Sequence, residues 1–224
     1  DRCLVTALIS KHSCFAFGKS SNVWAHTTVV FPVAAWTFFS VIQSRAHEFW
    51  RVRLGSTFET RLIYSATDVF GTFPFPQPDP RTVIPSLEEI GERLYTARSA
   101  YMVDTQQGLT QTYNQLKDPR VRDARVVELR RLHEEMDRAV LAAYGWDDLA
   151  VPPYGTPTSD AEKKALERFE DEVIDRLFAL NAERAEEERQ QAEREATKEK
   201  PTKAKGGRKK KGDTGEGQGE LGIE

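Results

Sequence analysis

Between Phe73 and Pro85 the chain carries five prolines, Pro74, Pro76, Pro78, Pro80 and Pro85. Proline fixes φ near about −65° and removes a backbone donor, so neither a helix interior nor a central strand survives such a run. The segment must be extended and stiff, a strap rather than a flexible linker. The residue pattern differs on its two sides, so the strap also marks a change in architecture.

Before the strap the pattern is first that of strands. Cys3–Ser10, Ser13–Phe17 and Trp24–Phe31 are short runs of β-branched and aromatic residues, and they read as an antiparallel meander. Turns are expected at Gly18-Lys19-Ser20 and Ser21-Asn22, and Pro32 ends the pairing. From Ala34 to Arg53 the period becomes helical. Phe38, Phe39, Ile42, Ala46, Phe49 and Trp50 form one apolar stripe, Ser44, His47 and Arg51 share another face, and Gly55 stands at the C-cap position. A short strand resumes at Leu62–Tyr64.

After the strap the pattern is helical throughout. Ser86-Leu87-Glu88-Glu89 has the form of a capping box opening a helix to about Asp104, with Leu87, Ile90, Leu94, Ala97 and Tyr101 inward. Asp118-Pro119 restarts a helix through Val126, Leu129, Leu132, Met136, Val140 and Leu141, which stops at Tyr144-Gly145-Trp146. Ser159-Asp160-Ala161-Glu162 caps another, whose apolar stripe fades beyond Asn181. Lys198–Lys211 holds eight basic residues against one acid and leads into a Gly-rich end, a composition that predicts disorder. The fold class is therefore α+β: a small antiparallel sheet with an amphipathic helix, then a mostly α-helical segment and a disordered basic tail.

A length of 224 residues with 39% hydrophobic and 30% charged content is ordinary for a soluble chain with a sizeable core. No apolar run approaches the ~20 residues needed to span a bilayer, so no membrane partner is expected. Two cysteines, Cys3 and Cys14, make no disulfide framework, and a reduced cytoplasmic setting follows. The overall charge of −3 hides an asymmetry: Asp1–Pro76 has seven Lys/Arg against four Asp/Glu, a net of +3, while acids concentrate between Asp160 and Glu199.

Reaction centres are not evident. Phe17-Gly18-Lys19-Ser20 ends like a phosphate-binding loop, but Ser13 stands where the first glycine of that pattern belongs, and a turn is the better reading. Val151-Pro152-Pro153-Tyr154 resembles the Asn/Asp-Pro-Pro-Tyr loop of amino-methyltransferases, yet Val151 lacks the carbonyl that would accept from an exocyclic amine. His12, His26, His47 and His133 have no partners at metal-ligand spacing. The basic residues of the first part are the candidates that remain. Lys11, His12, Lys19, Ser20 and Asn22 fall on turns of the expected sheet, and Arg45, His47, Arg51 and Arg53 on the polar side of the following helix. Arg and Lys engage phosphates, and Arg, Asn and His at groove depth engage base edges. A normally solvated polar face would look the same.

The order of these elements, and several strings within them, resembles the large single-chain adenine-specific DNA methyltransferases of type IIG-like restriction-modification and phage-exclusion systems. The strings are Ser10-Lys11-His12, Gln43–Trp50, Tyr64–Pro76, Leu109–Asn114, Met136–Val140 with Ala143–Trp146, and Leu177–Glu183. The resemblance runs from about Arg2 to Glu188. It implies that residues 1–76 are the distal part of a target-recognition domain, that 77–195 form the helical C-terminal segment, and that the tail at 196–224 lies outside the family pattern. It further implies a C-terminal fragment, in keeping with a chain that begins on Asp1 rather than Met. The S-adenosylmethionine loop and the catalytic Asn-Pro-Pro-Tyr would precede Asp1, so the fragment itself carries no cofactor. Its implied partners are double-stranded DNA and an N-terminal catalytic domain that methylates N6 of adenine. Two other readings stay open: a helical protein-interaction module with a charged tail, and a separate DNA-specificity subunit.

Overall fold

A computed structural model describes residues 1–58 and 61–198. The chain divides into a first compact unit, Asp1–Ala185, and a second beginning at Glu186. Of the second, residues 186–198 are helical, with 187–195 exposed. The end of the tail expected to be disordered, from residue 199, lies outside the described residues. The fold is α+β: small antiparallel sheets with several helices.

Strand β1 (Arg2–Ala7) is the centre of a three-stranded sheet, flanked by β3 (Ala16–Lys19) and β4 (Thr28–Phe31). Leu4 lies opposite both Phe17 and Phe31, and this face points to the core. The expected meander would have put β3 in the middle. Instead the first run divides at Leu8, and its end, β2 (Ile9–Ser10), leaves to pair with β6 (Arg61–Ile63) in a second sheet ordered β2-β6-β5, where β5 is Thr57–Phe58. The strand expected over Trp24–Phe31 is confined to its last residues, because Asn22–Thr27 forms an exposed connection.

The single helix expected over Ala34–Arg53 is two, α1 (Trp36–Gln43) and α2 (Arg45–Leu54). Ser44 adopts an extended conformation (ψ 161°) and caps the second, its hydroxyl donating to the Val41 carbonyl at 2.6 Å and facing the His47 amide at 3.5 Å. The Arg45 amide, one of the donors a helix start leaves free, is taken by the Asp137 carboxylate at 2.8 Å. Gly55 does terminate α2, by an amide bond to the Arg51 carbonyl at 2.8 Å, though with an extended rather than left-handed backbone.

A one-turn π-helix, Ala66–Phe70, precedes the strap. Phe73 and Phe75 are buried, Phe75 stacking on Phe38 with ring centroids 5.6 Å apart. Proline and its neighbours still offer carbonyls, and side chains of later helices hold them. Tyr144 donates to the Pro74 oxygen at 2.8 Å, Arg184 to that of Phe75 at 2.5 Å, and Asn181 to that of Thr72 at 3.0 Å.

Helix α3 (Pro85–Thr105) starts one residue before the expected capping box and uses Pro85 as its first residue. Ser86 is thus inside the helix and no side chain caps its start, so the expected box with Glu89 does not form. Glu88 reaches across to accept from the Thr37 amide at the start of α1, at 2.5 Å. Gly91 lets α3 meet α1, since any Cβ there would collide with Ser40 and the Trp36 carbonyl. Helix α4 (Leu109–Lys117) occupies a polar stretch given no helix of its own above, and α5 (Ala124–Tyr144) starts at Asp123 rather than Asp118. Gly145 ends α5 in the left-handed region at φ 77°, open to glycine without strain. The last helix, α6, is Asp160–Lys198. One hydrophobic core runs from Leu4 to Leu177 without a break at the strap.

Candidate nucleic-acid interface

Helix α2 supplies most of the basic residues singled out from the sequence, and it is enclosed on several sides. Phe49 meets Phe169 of α6, and Trp50 meets Phe178 and Phe73. Consequently Arg45, His47 and Arg51 do not project into solvent. They are 3%, 0% and 0% exposed.

Each is held by internal partners instead. The Arg45 guanidinium pairs with Asp137 of α5 at 2.6 Å and donates to the Pro152 carbonyl at 2.8 Å, between the rings of Tyr154 and Phe169. Arg51 donates to the hydroxyls of Ser10 and Ser13, both at 2.9 Å, and to the carbonyls of Leu62 and His12, at 3.0 and 3.3 Å. It thereby ties the second sheet and the connection from β2 to β3 to α2. The His47 ring meets the Tyr64 hydroxyl at 3.1 Å, and burial beside Arg51 holds its pKa down at about 3, so it is neutral. Burial corrects the expectation that these three form an exposed DNA-facing row. A buried charge must be paired or hydrogen-bonded, and these are. Only Arg53, on the last turn, is exposed.

A similar buried hub was missed entirely. Arg98 of α3, 1% exposed, donates to the Phe15 carbonyl at 2.6 Å, to Gln43 at 3.2 Å and to the Tyr113 hydroxyl at 2.9 Å. Burial drives the Tyr113 pKa up to about 12. The Tyr113 hydroxyl also meets His133, whose ring stacks on Tyr154 at 4.3 Å, and burial lowers the His133 pKa well below that of a free imidazole. Nothing in the periodicity distinguishes Arg98 from a surface arginine.

The remaining candidates divide into two groups. Lys19, Ser20 and Asn22 are exposed where β3 turns, beside the end of β1 marked by the Arg2↔Lys19 pair. Trp24 folds back over Gly18 beneath this turn. Lys11 and His12 lie beyond the other end of β1, whose six residues span roughly 20 Å at ~3.4 Å each. The structure therefore does not gather all five turn residues into one cluster. Lys11 is exposed and His12 is nearly buried, and both meet Asn114 of α4, at 2.8 and 2.9 Å. Burial lowers the His12 pKa more than its Asn114 bond raises it, so this imidazole is not a phosphate-binding cation at neutral pH.

The Val151–Tyr154 loop turns its tyrosine inward. Tyr154 is 5% exposed, stacked on His133 with Lys117 above its ring, and Arg45 occupies the carbonyls before it.

Residues 10–77 match the family described as MmeI, target recognition domain. They thus carry the pattern of an MmeI-type target recognition domain. The matched stretch contains β2 to β6, α1, α2, the π-helix and the first half of the strap. Among solved structures, the chain is similar to that of the type IIL restriction-modification enzyme MmeI in complex with DNA, at 21% identity and a TM-score of 0.46. The likeness covers 78% of this chain and 21% of that one, so the chain spans about a fifth of the length of the solved protein. No curated protein matches. Among the described residues, no helix is long and apolar enough to cross a membrane.

Proposed function

We propose that this chain selects the target sequence for a site-specific DNA methyltransferase of a restriction-modification or phage-defence system. The match of residues 10–77 to a target recognition domain carries the reading. Exposure of Lys11, Lys19, Ser20, Asn22 and Arg53 on that segment supports it, because these side chains remain available to phosphates and base edges. The strings quoted above favour adenine N6 as the methylated position. The methyl would come from S-adenosylmethionine bound to a catalytic portion outside these residues. The role of this chain is to bind and orient the duplex. Its two free cysteines suit the cytoplasm.

The test is selection from a random duplex library by the full chain, alone and joined to its catalytic portion, with methylation sites mapped in the second case. One enriched motif that coincides with N6-methylated adenines is expected. Retention without any sequence preference in both formats would overturn the reading.

A further inference from the structure

A cleft of about 640 Å³ opens on the face of the first sheet that points away from the core. Its floor is apolar and shallow: Val5, Ala16 and Ile9. Its rim carries Lys11 and Arg61 on the target-recognition side and Thr110 and Gln111 of α4 on the other. None of the described residues lining it is Asp or Glu. A sugar–phosphate strand has the complementary profile, with C–H faces on deoxyribose and anionic oxygens at its edge.

Asn114 lies one turn beyond Thr110 and Gln111 on α4 and makes the cleft a shared structure. Lysine only donates, so the 2.8 Å contact fixes the Asn114 carbonyl oxygen toward Lys11. The neutral His12 ring then donates from Nε2 to the same oxygen, at 2.9 Å. Asn114 thus pins a lysine of one segment from a helix of the other, while its own side chain stays exposed. We propose that this cleft seats one sugar–phosphate strand of duplex DNA, with Lys11 as a phosphate contact and Asn114 as the residue that positions it. The helical segment after the strap is then part of the DNA-binding surface. The proposal rests on the DNA-recognition reading above.

The test measures binding of the full chain to a random-sequence duplex of about 20 base pairs between about 50 and 200 mM salt, where each phosphate contact contributes about 0.9 to the log–log slope. Lys11→Gln should lower the slope by about 0.9. Asn114→Asp, which neutralises Lys11 by an ion pair, should lower it by a similar amount. In a Lys11→Gln background Asn114→Asp should have no further effect, because the two act through one ammonium. Thermal unfolding accompanies each variant, and if Asn114→Asp proves unstable, Lys11→Gln alone decides. Wild-type binding with unchanged slopes in both variants would overturn the proposal and leave the recognition reading standing. No binding by the wild-type chain at any salt would sink the recognition reading itself, and the cleft with it.

Discussion

Two sets of basic residues have opposite fates in the fold. Arg45, Arg51 and Arg98 are buried and hold main-chain carbonyls, hydroxyls and one carboxylate. Lys11, Lys19 and Arg53 are exposed. All the buried members are arginines. A guanidinium offers five donors in a fixed plane and can satisfy several acceptors at once, whereas an ammonium is a compact, strongly hydrated charge. Both lysines fall in the exposed set, whereas arginine occurs in both, Arg53 being exposed.

The largest expected effect lies at the Arg45–Asp137 pair. Asp137→Ala leaves the guanidinium without its carboxylate, and the loss should be about 3–5 kcal/mol in chemical denaturation. Replacing both members together, as Arg45→Met with Asp137→Leu, should recover most of that loss. A double variant as unstable as the single one would mean that the buried set works through packing rather than charge pairing.

Proton linkage at His47 is the next largest effect. Its folded pKa, about 3, lies below the unfolded value near 6.5. Its contribution to stability is therefore complete above pH 6.5 and drains away as pH falls toward 3. In His47→Gln the slope of stability against pH should be shallower by up to about 1.4 kcal/mol per pH unit below about pH 6. Parallel pH profiles for variant and wild type would refute a neutral buried imidazole.

At the small end, Lys19→Gln and Arg53→Gln should change stability by no more than about 0.5 kcal/mol. Each should nevertheless lower the salt slope of duplex binding by about 0.9 where it touches a phosphate. A marked loss of stability in either would move that residue from the exposed set to the buried one.

What could be read in the sequence follows the same division. The apolar stripes of α1, α2, α3 and α5 were legible because burial of Phe, Leu and Ile leaves a period. The lack of helix or strand from Phe73 to Ile84 was legible because proline allows little else, but residues 76–81 bend and turn where an extended run was expected. The break at Ser44 was not, since its causes are a local cap and a carboxylate 92 residues further on. The box expected at Ser86–Glu89 misled for a related reason: its helix starts at Pro85 instead, and the neighbouring Glu88 is held by the Thr37 amide on another helix. Helix α4 went unseen because few of its residues are apolar, Tyr113 and Leu116 being its buried anchors. In the candidate site, the turn residues were legible as exposed polar groups, while Asn114, joined to Lys11 only in three dimensions, was not.

The side chains that hold the strap bear on what a segment swap would preserve. Tyr144, Arg184 and Asn181 grip only main-chain oxygens, which every residue supplies, so the grip is indifferent to the side chains it holds. Gln43 and Arg45, by contrast, have partners in Arg98 and Asp137, far beyond residue 77. A hybrid that swaps residues 10–77 for those of another protein would keep its grip on the strap, yet it would strand buried charges unless those two positions stay compatible with α3 and α5. The transplantable unit is larger than the segment that resembles a module.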